Sequence, residues 1–193
     1  MSKTLDEGGL RFTFGDGWLV ERYDGHPDYR NGIEKLKHPT HGGEKDTTAI
    51  DFIGIVEQSL FFIEVKDFRE HRIETKSRVG EDLAREVAFK ARDTIAGIVG
   101  ASRMSATPGT WAVFVAPLPK QTASVYVVLW LEEDARFPSP TERRRHKHRQ
   151  SVLAQELKRS CRWLTPYALV VNRDSNLCTI PDLQVSTLPA VGR

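Results

Sequence analysis

Apolar residues are concentrated in four short segments of the chain. Residues 47–56 and 60–66 are rich in β-branched and aromatic side chains and are apolar at both odd and even positions. Apolar positions on both faces are typical of strands in a sheet that is covered on both sides. Residues 111–116 and 125–131 have a similar composition. The pattern therefore predicts four strands of a covered sheet.

Two longer segments have the spacing of amphipathic helices. In residues 80–101 the apolar side chains recur at helical intervals, at Leu83, Val87, Ala91, Ile95 and Ile98. The same segment carries a polar stripe, formed by Glu86, Lys90 and Asp93. Residues 141–164 follow Pro140, which suits a first helical turn, and are apolar only in their second half. Strands that alternate with helices predict an α/β fold.

Weaker patterns near the two ends of the chain predict smaller elements. Residues 10–14 and 18–23 flank a Gly-Asp-Gly turn and are expected to form a β-hairpin. A short helix is expected over residues 28–37. Late strands are expected at residues 167–172 and 177–180, and the last dozen residues are expected to be a tail.

The composition is that of one domain. No repeat or linker divides residues 1–193, in which we expect a core at about 24–132 and a basic helix with C-terminal decoration at about 141–193. Cys161 and Cys178 have neither disulfide nor metal-site spacing, so we expect buried thiols in a reducing compartment. Without a secretory signal or a membrane-length apolar run, we expect a cytoplasmic protein that does not contact membranes.

The small net charge conceals a local excess of positive charge. The chain carries +2, yet residues 136–163 contain nine lysines and arginines against two glutamates, so that this stretch carries +7 and the rest −5. A local basic concentration is the footprint of a polyanion-binding face, although a solvated helix surface has the same pattern. The candidates for phosphate contacts are Arg143, Arg144, Arg145, Lys147 and Arg149.

Glu64 is the most unusual residue of the strand segments. It lies inside Leu-Phe-Phe-Ile-Glu-Val-Lys, where an unpaired buried carboxylate costs roughly several kcal/mol. Lys66 shares its face, about 6.6 Å along the strand, because side chains two apart on a strand point the same way. Asp51 is likewise surrounded by apolar neighbours. Each of these charges must therefore be compensated by a partner.

The connection between the two strands decides whether Asp51 and Glu64 meet. With an even-length connection over residues 56–59, the numbers of opposite residues sum to 115 and Asp51 lies opposite Glu64. Their Cβ atoms would then be about 5 Å apart. An odd connection would place Asp51 on the other face, unless a bulge at Gly54 restored the phase. The even register predicts two carboxylates close enough to share one cation.

This combination of charges is typical of a phosphodiester hydrolase. Two adjacent carboxylates repel each other unless a cation or a proton joins them, and hard oxygen ligands favour Mg²⁺ or Mn²⁺ over zinc. The Lys66 ammonium would orient or help to deprotonate the attacking water. It would also stabilise the negative charge that builds on phosphate during in-line attack.

The spacing of these residues resembles a known family. Asp51, twelve intervening residues, Glu64-Val65-Lys66 and the following helix resemble the PD-(D/E)XK nuclease superfamily, over about residues 47–117. The resemblance implies a restriction-endonuclease-like core, with a central mixed β-sheet flanked by helices. It also implies that Asp51, Glu64 and the Val65 carbonyl bind Mg²⁺ or Mn²⁺, and that Lys66 is the catalytic lysine.

The resemblance implies further polar residues near the site. The superfamily often adds an acid from its first helix, a role for which Glu21, Asp24 and Glu34 compete, and we favour Asp24. It also often places a polar residue on the helix after the motif, where Lys90 and Asp93 share a face.

The order of the elements departs from the family in one respect. The superfamily core usually runs helix, three strands, helix, strand. Only residues 42–46 separate our first predicted helix from the Asp51 strand, so one core strand is missing or precedes that helix. The sequences LFFIEVKDFR and EVAFKARDTIAG also resemble small uncharacterised bacterial members of the superfamily.

Three functions are compatible with the sequence. The first is a Mg²⁺-dependent nuclease with nucleic acid, in particular DNA, as its partner. The second is a catalytically inactive protein of the same fold that binds nucleic acid or a partner protein through the basic helix. The third is a structural or regulatory subunit, which gives no reason for Glu64. The intact set of two acids and a lysine favours the nuclease. The sequence leaves open whether the chain forms a homodimer.

Replacing Arg143, Arg144 and Arg145 together with alanine should weaken the binding of unrelated nucleic acids to a similar extent, because phosphate contacts do not depend on base sequence. Each lost contact should reduce the slope of log affinity against log salt by about 0.9 on duplex DNA. Binding titrations at several salt concentrations measure this slope. Unchanged affinity and slope would show that the helix faces solvent or a protein partner.

Overall fold

The computed structural model describes residues 2–40, 43–69, 80–133, 139–175 and 180–189. The strands within these ranges are β1 (Lys3–Glu7), β2 (Leu10–Phe14), β3 (Trp18–Arg22), β4 (Lys37–Thr40), β5 (Gly43–Asp46), β6 (Phe52–Val56), β7 (Ser59–Asp67), β8 (Ser124–Glu132), β9 (Tyr167–Val171) and β10 (Leu183–Thr187). The α-helices are α1 (Pro27–Arg30), α2 (Glu81–Met104), α3 (Pro108–Val115) and α4 (Pro140–Cys161), and a 3-10 helix spans Ile33–Lys35.

A five-stranded mixed sheet, in the order β3-β6-β7-β8-β9, forms the central layer. β6 is antiparallel to both β3 and β7, whereas β7, β8 and β9 run parallel to one another. The parallel connections pass through helices, with α2 and α3 between β7 and β8 and α4 between β8 and β9. The expected α/β class with a mixed sheet is therefore confirmed. The sheet extends to β9, beyond the core boundary expected near residue 132.

Different layers cover the two faces of the central sheet. On one face, Leu60 and Phe62 of β7 pack with buried residues of α2, α3 and α4. On the other face, Phe61 and Ile63 pack with residues of a second sheet, in the order β1-β2-β10, including Phe12. Because successive strand side chains point to opposite faces, both sets of β7 positions are apolar. The prediction of a doubly covered sheet is confirmed, and one of the covers is a sheet.

The second sheet shows that two predictions were wrong. β2 and β3 do not form a hairpin, since β2 pairs with β1 and β10 while β3 pairs with β6. After β2 the Gly15 N–H donates to the Asp182 carbonyl at 2.9 Å, and the chain passes into the central sheet. β10 lies in the stretch expected to be a tail. Residues 177–179 of the predicted late strand lie outside the described residues.

Helix α3 replaces the strand predicted over residues 111–116. Pro108 stands at its start, and Trp111 and Phe114, three residues apart, are buried on one side of the helix. The Trp111 Nε1–H donates to Asp28 Oδ2 at 2.6 Å, which connects α3 to α1. A short apolar run has the same composition in a buried helix and in a buried strand. The proline, which suits a first helical turn, was the available signal.

The segment before β6 is bound to α2 instead of to a strand. β6 begins at Phe52, later than the predicted start at residue 47. The N–H groups of Thr48 and Ile50 donate to Asp93 Oδ2 and Thr94 Oγ1 of α2, at 3.3 and 3.0 Å. The helix predicted over residues 28–37 is divided into α1 and the 3-10 helix, and β3 precedes both. Of the two alternatives that the sequence left open, a strand before the first helix is therefore present.

Helix α4 is buried only along its second half. Leu153, Leu157 and Cys161 are buried, and burial raises the pKa of the Cys161 thiol to about 12. This confirms the expected buried thiol at Cys161, whereas Cys178 lies outside the described residues. Among the helices of the described ranges, none combines the length and the apolar character needed to cross a membrane.

Helix α2 passes very close to a buried tyrosine at Gly97. Tyr23 is fully buried and packs against the rings of Tyr29 and Trp111. A Cβ atom at Gly97 would lie 2.0 Å from the Tyr23 hydroxyl oxygen. The absence of a side chain at this position therefore allows α2 to approach the aromatic cluster.

Gly97→Ala should lower the free energy of unfolding by about 1–3 kcal/mol, because the new methyl group forces a well-packed core apart. The matched control is Gly100→Ala on the same helix, where nothing lies within 4 Å of the added Cβ. That variant should gain about 0.5–1 kcal/mol from helix propensity. Urea denaturation followed by circular dichroism measures both. A stabilised Gly97→Ala variant would contradict the close approach.

Candidate active site

β6 and β7 pair in the register predicted from the sequence. Phe52 lies opposite Ile63, and the numbers of all the paired residues sum to 115. The connection between the strands is even, so no bulge at Gly54 is required. Asp51 directly precedes Phe52, and Glu64 directly follows Ile63. The two acids are therefore one step beyond the last pair, at the same edge of the sheet.

Asp51 and Glu64 belong to the helix-facing side of the sheet. Ile53 and Phe62, which are two positions from Asp51 and Glu64 respectively, both pack in the core under the helices. Asp51 is 6% exposed, and its Oδ2 accepts a hydrogen bond of 2.6 Å from the Val65 backbone N–H. The backbone of the Glu64-Val65-Lys66 motif thus holds the Asp51 carboxylate next to Glu64.

Two ammonium groups contact the same oxygen of Glu64. Lys66 Nζ lies 2.8 Å and Lys90 Nζ 2.6 Å from Glu64 Oε1. The Glu64 residue is 0% exposed, and its Oε2 is buried without a hydrogen-bond partner among the described residues. One half of the carboxylate is therefore neutralised by ion pairs, while the other half is an unfilled acceptor.

Lys66 is held between two carboxylates. Besides Glu64, its Nζ contacts Glu86 Oε1 of α2 at 3.0 Å. Burial by itself would lower the pKa of Lys66, but the charges and hydrogen bonds of Glu64 and Glu86 raise it above its ordinary value. The Lys66 ammonium is therefore charged at neutral pH.

The proximity of the two acids changes the protonation of Asp51. Burial, together with the charge of Glu64, raises the pKa of Asp51 to about 7. The Val65 N–H and the charge of Lys90 act in the opposite direction, and Glu7 of β1 adds to the increase. The carboxylates are thus close enough to disfavour ionisation of both unless positive charge is added.

Asp24 is affected by two of the charges that also act on Asp51. Its Oδ1 is buried without a hydrogen-bond partner among the described residues, and the Arg22 guanidinium lies 3.7 Å away. Burial and the charge of Glu7 raise the pKa of Asp24, against the effects of Arg22 and Lys90. The charges of Lys90 and Glu7 therefore act on both Asp24 and Asp51.

The other proposed polar residues lie elsewhere. Glu21 forms an ion pair of 2.9 Å with Lys3, and Glu34 lies in the 3-10 helix. Asp93 is buried and accepts a hydrogen bond from the Thr48 N–H. Asp93 therefore anchors the segment that leads to the site, whereas Lys90 contacts Glu64 directly.

Asp67 faces away from the site, as expected from strand alternation. Its Oδ2 forms an ion pair with Arg69 Nη2 at 2.5 Å. A Cβ at Gly8, in the β1–β2 turn on that side of the sheet, would lie 3.1 Å from the Asp67 Cβ. Asp67 therefore provides a control position next to Lys66 in the chain.

The basic half of α4 lies at the same edge of the sheet as Lys66. Within α4, His146 Nδ1 is 3.6 Å from Glu133 Oε2, and Glu133 directly follows β8. Lys66 of β7 lies opposite Leu131, which is near the end of β8. Five basic residues of α4 were expected to contact phosphates. Four of them are exposed (Arg143, Arg144, Arg145 and Lys147), and Arg149 is half-buried.

Sequence reasoning missed two acidic residues that act on this site. Glu86 was identified only as part of the polar stripe of α2, and its spacing of four residues from Lys90 was the signal that both face the sheet. Glu7 belongs to β1, an element that the sequence pattern did not predict. Its contribution depends on the second sheet, which no local pattern indicates.

The site offers two carboxylates as ligands for a divalent cation. Within the described ranges, no group of three or more His, Cys, Asp or Glu residues is arranged to hold a metal ion. The set that does exist is Asp51 with the unfilled Glu64 Oε2. A hard cation that retains several waters needs only one or two protein carboxylates. The donors therefore suit Mg²⁺ or Mn²⁺, and the Val65 carbonyl stays a predicted ligand.

Comparisons with known proteins leave the family of the chain open. No family model matches it, and no solved structure matches it. A cysteine–tRNA ligase of Neisseria meningitidis serogroup A is 28% identical over 117 residues. The match covers 51% of this chain and 17% of the ligase. It does not carry the activity of the ligase to this protein.

Asp51→Asn should remove a pH-dependent destabilisation. The pKa of Asp51 rises from 3.8 to about 7 on folding, so the unfolded chain loses this proton at a lower pH than the folded protein does. The contribution of Asp51 to stability therefore falls as the pH rises through that window and stays low above it. The difference in unfolding free energy, variant minus wild type, should therefore increase as the pH rises, by at most about 1.4 kcal/mol per pKa unit.

Urea denaturation in EDTA between about pH 4 and about pH 8 measures this difference. Asp174→Asn, in an exposed turn, is the control and should show no comparable change across the window. If the difference for Asp51→Asn is flat, the carboxylate is not held in the environment described here.

Proposed function

We propose that this chain is a divalent-metal-dependent nuclease that hydrolyses phosphodiester bonds of nucleic acid. The observation that carries the proposal is Glu64, which is fully buried beside Asp51 and leaves Oε2 without a hydrogen-bond partner among the described residues. A hard divalent cation satisfies such an oxygen when a second carboxylate is adjacent. Lys66 contacts the same carboxylate from the same strand.

The order of the strands supports a core like that of the PD-(D/E)XK superfamily. β3, β6 and β7 are successive antiparallel neighbours, α2 follows, and β8 then returns parallel to β7. This is three strands, a helix and a strand. The first helix of the usual order falls between β3 and β6.

Asp51, Glu64 and the Val65 carbonyl would hold Mg²⁺ or Mn²⁺. When bound, the cation supplies Lewis-acid polarisation of the phosphate and activation of water. The protein fixes both carboxylates before substrate arrives, because Asp51 is bound to the Val65 N–H and Glu64 to two ammonium groups. Preorganised charges of this kind need little rearrangement during the reaction.

Lys66 acts in its charged form in this proposal. Its raised pKa opposes the release of a proton at neutral pH, which disfavours a role as general base. The ammonium instead donates to the phosphate oxygen on which negative charge develops. Glu86 keeps it at the edge of the sheet. Of the two roles considered from the sequence, charge stabilisation is therefore the one we propose.

DNA is the partner that we propose for the basic half of α4. The exposed arginines lie at the edge of the sheet that carries Lys66, so phosphates bound there would be connected to the site. Such contacts position a nucleic acid without reading its sequence. The partial likeness to a tRNA ligase is too limited in extent to add to this argument.

A binding protein without catalytic activity is the second candidate. The two ion pairs at Glu64 Oε1 favour it, because a buried carboxylate with two lysines also satisfies a purely structural role. The two functions differ in one respect that is easily measured. Only the nuclease cleaves nucleic acid in Mg²⁺ or Mn²⁺ and stops in EDTA.

Lys66→Ala should reduce turnover by roughly 10²–10³-fold, because it removes a charge aimed at the developing phosphate charge. Purified protein is incubated with duplex DNA, single-stranded DNA and RNA under Mg²⁺, Mn²⁺ or EDTA, and the products are separated on denaturing gels. Asp67→Ala is the control, compared at matched stability, and should retain turnover because Asp67 faces the opposite side.

Full activity in Lys66→Ala, or an equal loss in Asp67→Ala, would show that the lysine is misassigned. Cleavage by no form of the protein on any substrate, together with retained nucleic acid binding, would support the binding protein.

A further inference from the structure

The Lys90 ammonium interacts with both acids of the candidate site, Glu64 and Asp51. Its Nζ lies 2.6 Å from Glu64 Oε1, and its charge opposes the rise in the pKa of Asp51 that burial and Glu64 cause. We use the term carboxylate cluster for Asp51 and Glu64. Lys90 acts on every member of this cluster, and its side chain is 16% exposed.

The two lysines at Glu64 are held differently. Lys66 has a second carboxylate partner, Glu86, at 3.0 Å. For Lys90, the ion pairs of the described residues include Glu64 alone. If a divalent cation binds Glu64 and displaces the lysines, Lys90 loses its ion pair with Glu64. Lys66 then still has Glu86 as a partner.

The backbone that carries Lys90 is fixed relative to the cluster. Three residues further along α2, Asp93 accepts a hydrogen bond from the Thr48 N–H, and Thr94 accepts one from the Ile50 N–H. These contacts join α2 to the segment that leads to Asp51. Rotation of the Lys90 side chain moves the ammonium without breaking these two hydrogen bonds.

We propose that Lys90 is the resident counter-ion of the carboxylate cluster, which neutralises it in the absence of a divalent cation and competes with that cation for Glu64. The proposal rests on the metal site of the proposed function and adds a role for a residue of this chain. Asp51 and Glu64 repel each other, and an internal ammonium reduces that repulsion. The same ammonium repels an incoming cation of charge two.

The role has two opposite consequences that a merely structural lysine would not combine. Removing the charge of Lys90 should destabilise the metal-free protein, because the cluster loses its counter-ion. It should also strengthen cation binding, because a repulsive charge disappears and Glu64 Oε1 becomes available. A lysine that only positions Glu64 would weaken both properties together.

The test measures Mn²⁺ binding by calorimetry in the absence of nucleic acid, and thermal unfolding in EDTA and in Mn²⁺. The variants are Lys90→Met, which keeps the length of the chain, and Lys90→Gln, which keeps a hydrogen-bond donor. Lys120→Met is the matched control, since Lys120 is exposed between α3 and β8 and takes part in no ion pair among the described residues. The full chain is used throughout.

We expect Lys90→Met to bind Mn²⁺ roughly tenfold more tightly than wild type. Its melting temperature should be lower than that of wild type in EDTA, and Mn²⁺ should raise it by more. Lys120→Met should match wild type in both measurements. If Lys90→Met does not fold in EDTA, Lys90→Gln provides the same comparison, and recovery of folded protein on addition of Mn²⁺ supports the proposal.

Other results would overturn the proposal in distinguishable ways. If wild type binds Mn²⁺ and both Lys90 variants bind it equally well or more weakly, the counter-ion role is rejected and the proposed metal site is left intact. Binding by neither wild type nor either variant would reject the metal site and the counter-ion role together. Tighter binding in Lys120→Met as well would attribute the effect to net charge.

Discussion

The removal of Glu64 from water constrains the rest of the structure. A carboxylate in the interior of a sheet costs roughly several kcal/mol if it stays ionised without partners. Here two ammonium groups contact one of its oxygens, and they come from different elements, Lys66 from β7 and Lys90 from α2. Strand and helix must therefore keep a fixed relative position. A loss of either lysine would leave a buried charge with less compensation, which is more costly than the loss of an exposed ion pair.

A polar stripe of helix α2 faces the sheet and holds the helix in position beside Glu64. Glu86 and Lys90 contact the charged residues of β7, and Asp93 and Thr94 accept hydrogen bonds from the backbone before β6. The apolar positions of the same helix pack in the core. One packing contact thus fixes both the charge around Glu64 and the course of the chain toward Asp51. The close approach at Gly97 depends on the same alignment.

The parts of the fold that the sequence predicted well are those in which local pattern and tertiary environment agree. β7 is apolar on both faces because helices cover one and a sheet the other. The register of β6 with β7 followed from an even connection between them. The α3 segment was wrongly predicted as a strand, since its apolar run has no periodicity that distinguishes the two structures. The N-terminal hairpin was wrong because alternation specifies a strand and not its partner.

For the candidate site, the sequence by itself determined which charges stand in apolar strands and which of them share a face. That information is local, because strand alternation and a short connection depend on a few neighbouring residues. Only the tertiary structure decided that Lys90 and Glu86 reach β7, that Glu7 acts on both Asp51 and Asp24, and that the basic half of α4 lies at the same edge. These contacts join segments far apart in sequence, and their formation depends on how the layers pack together.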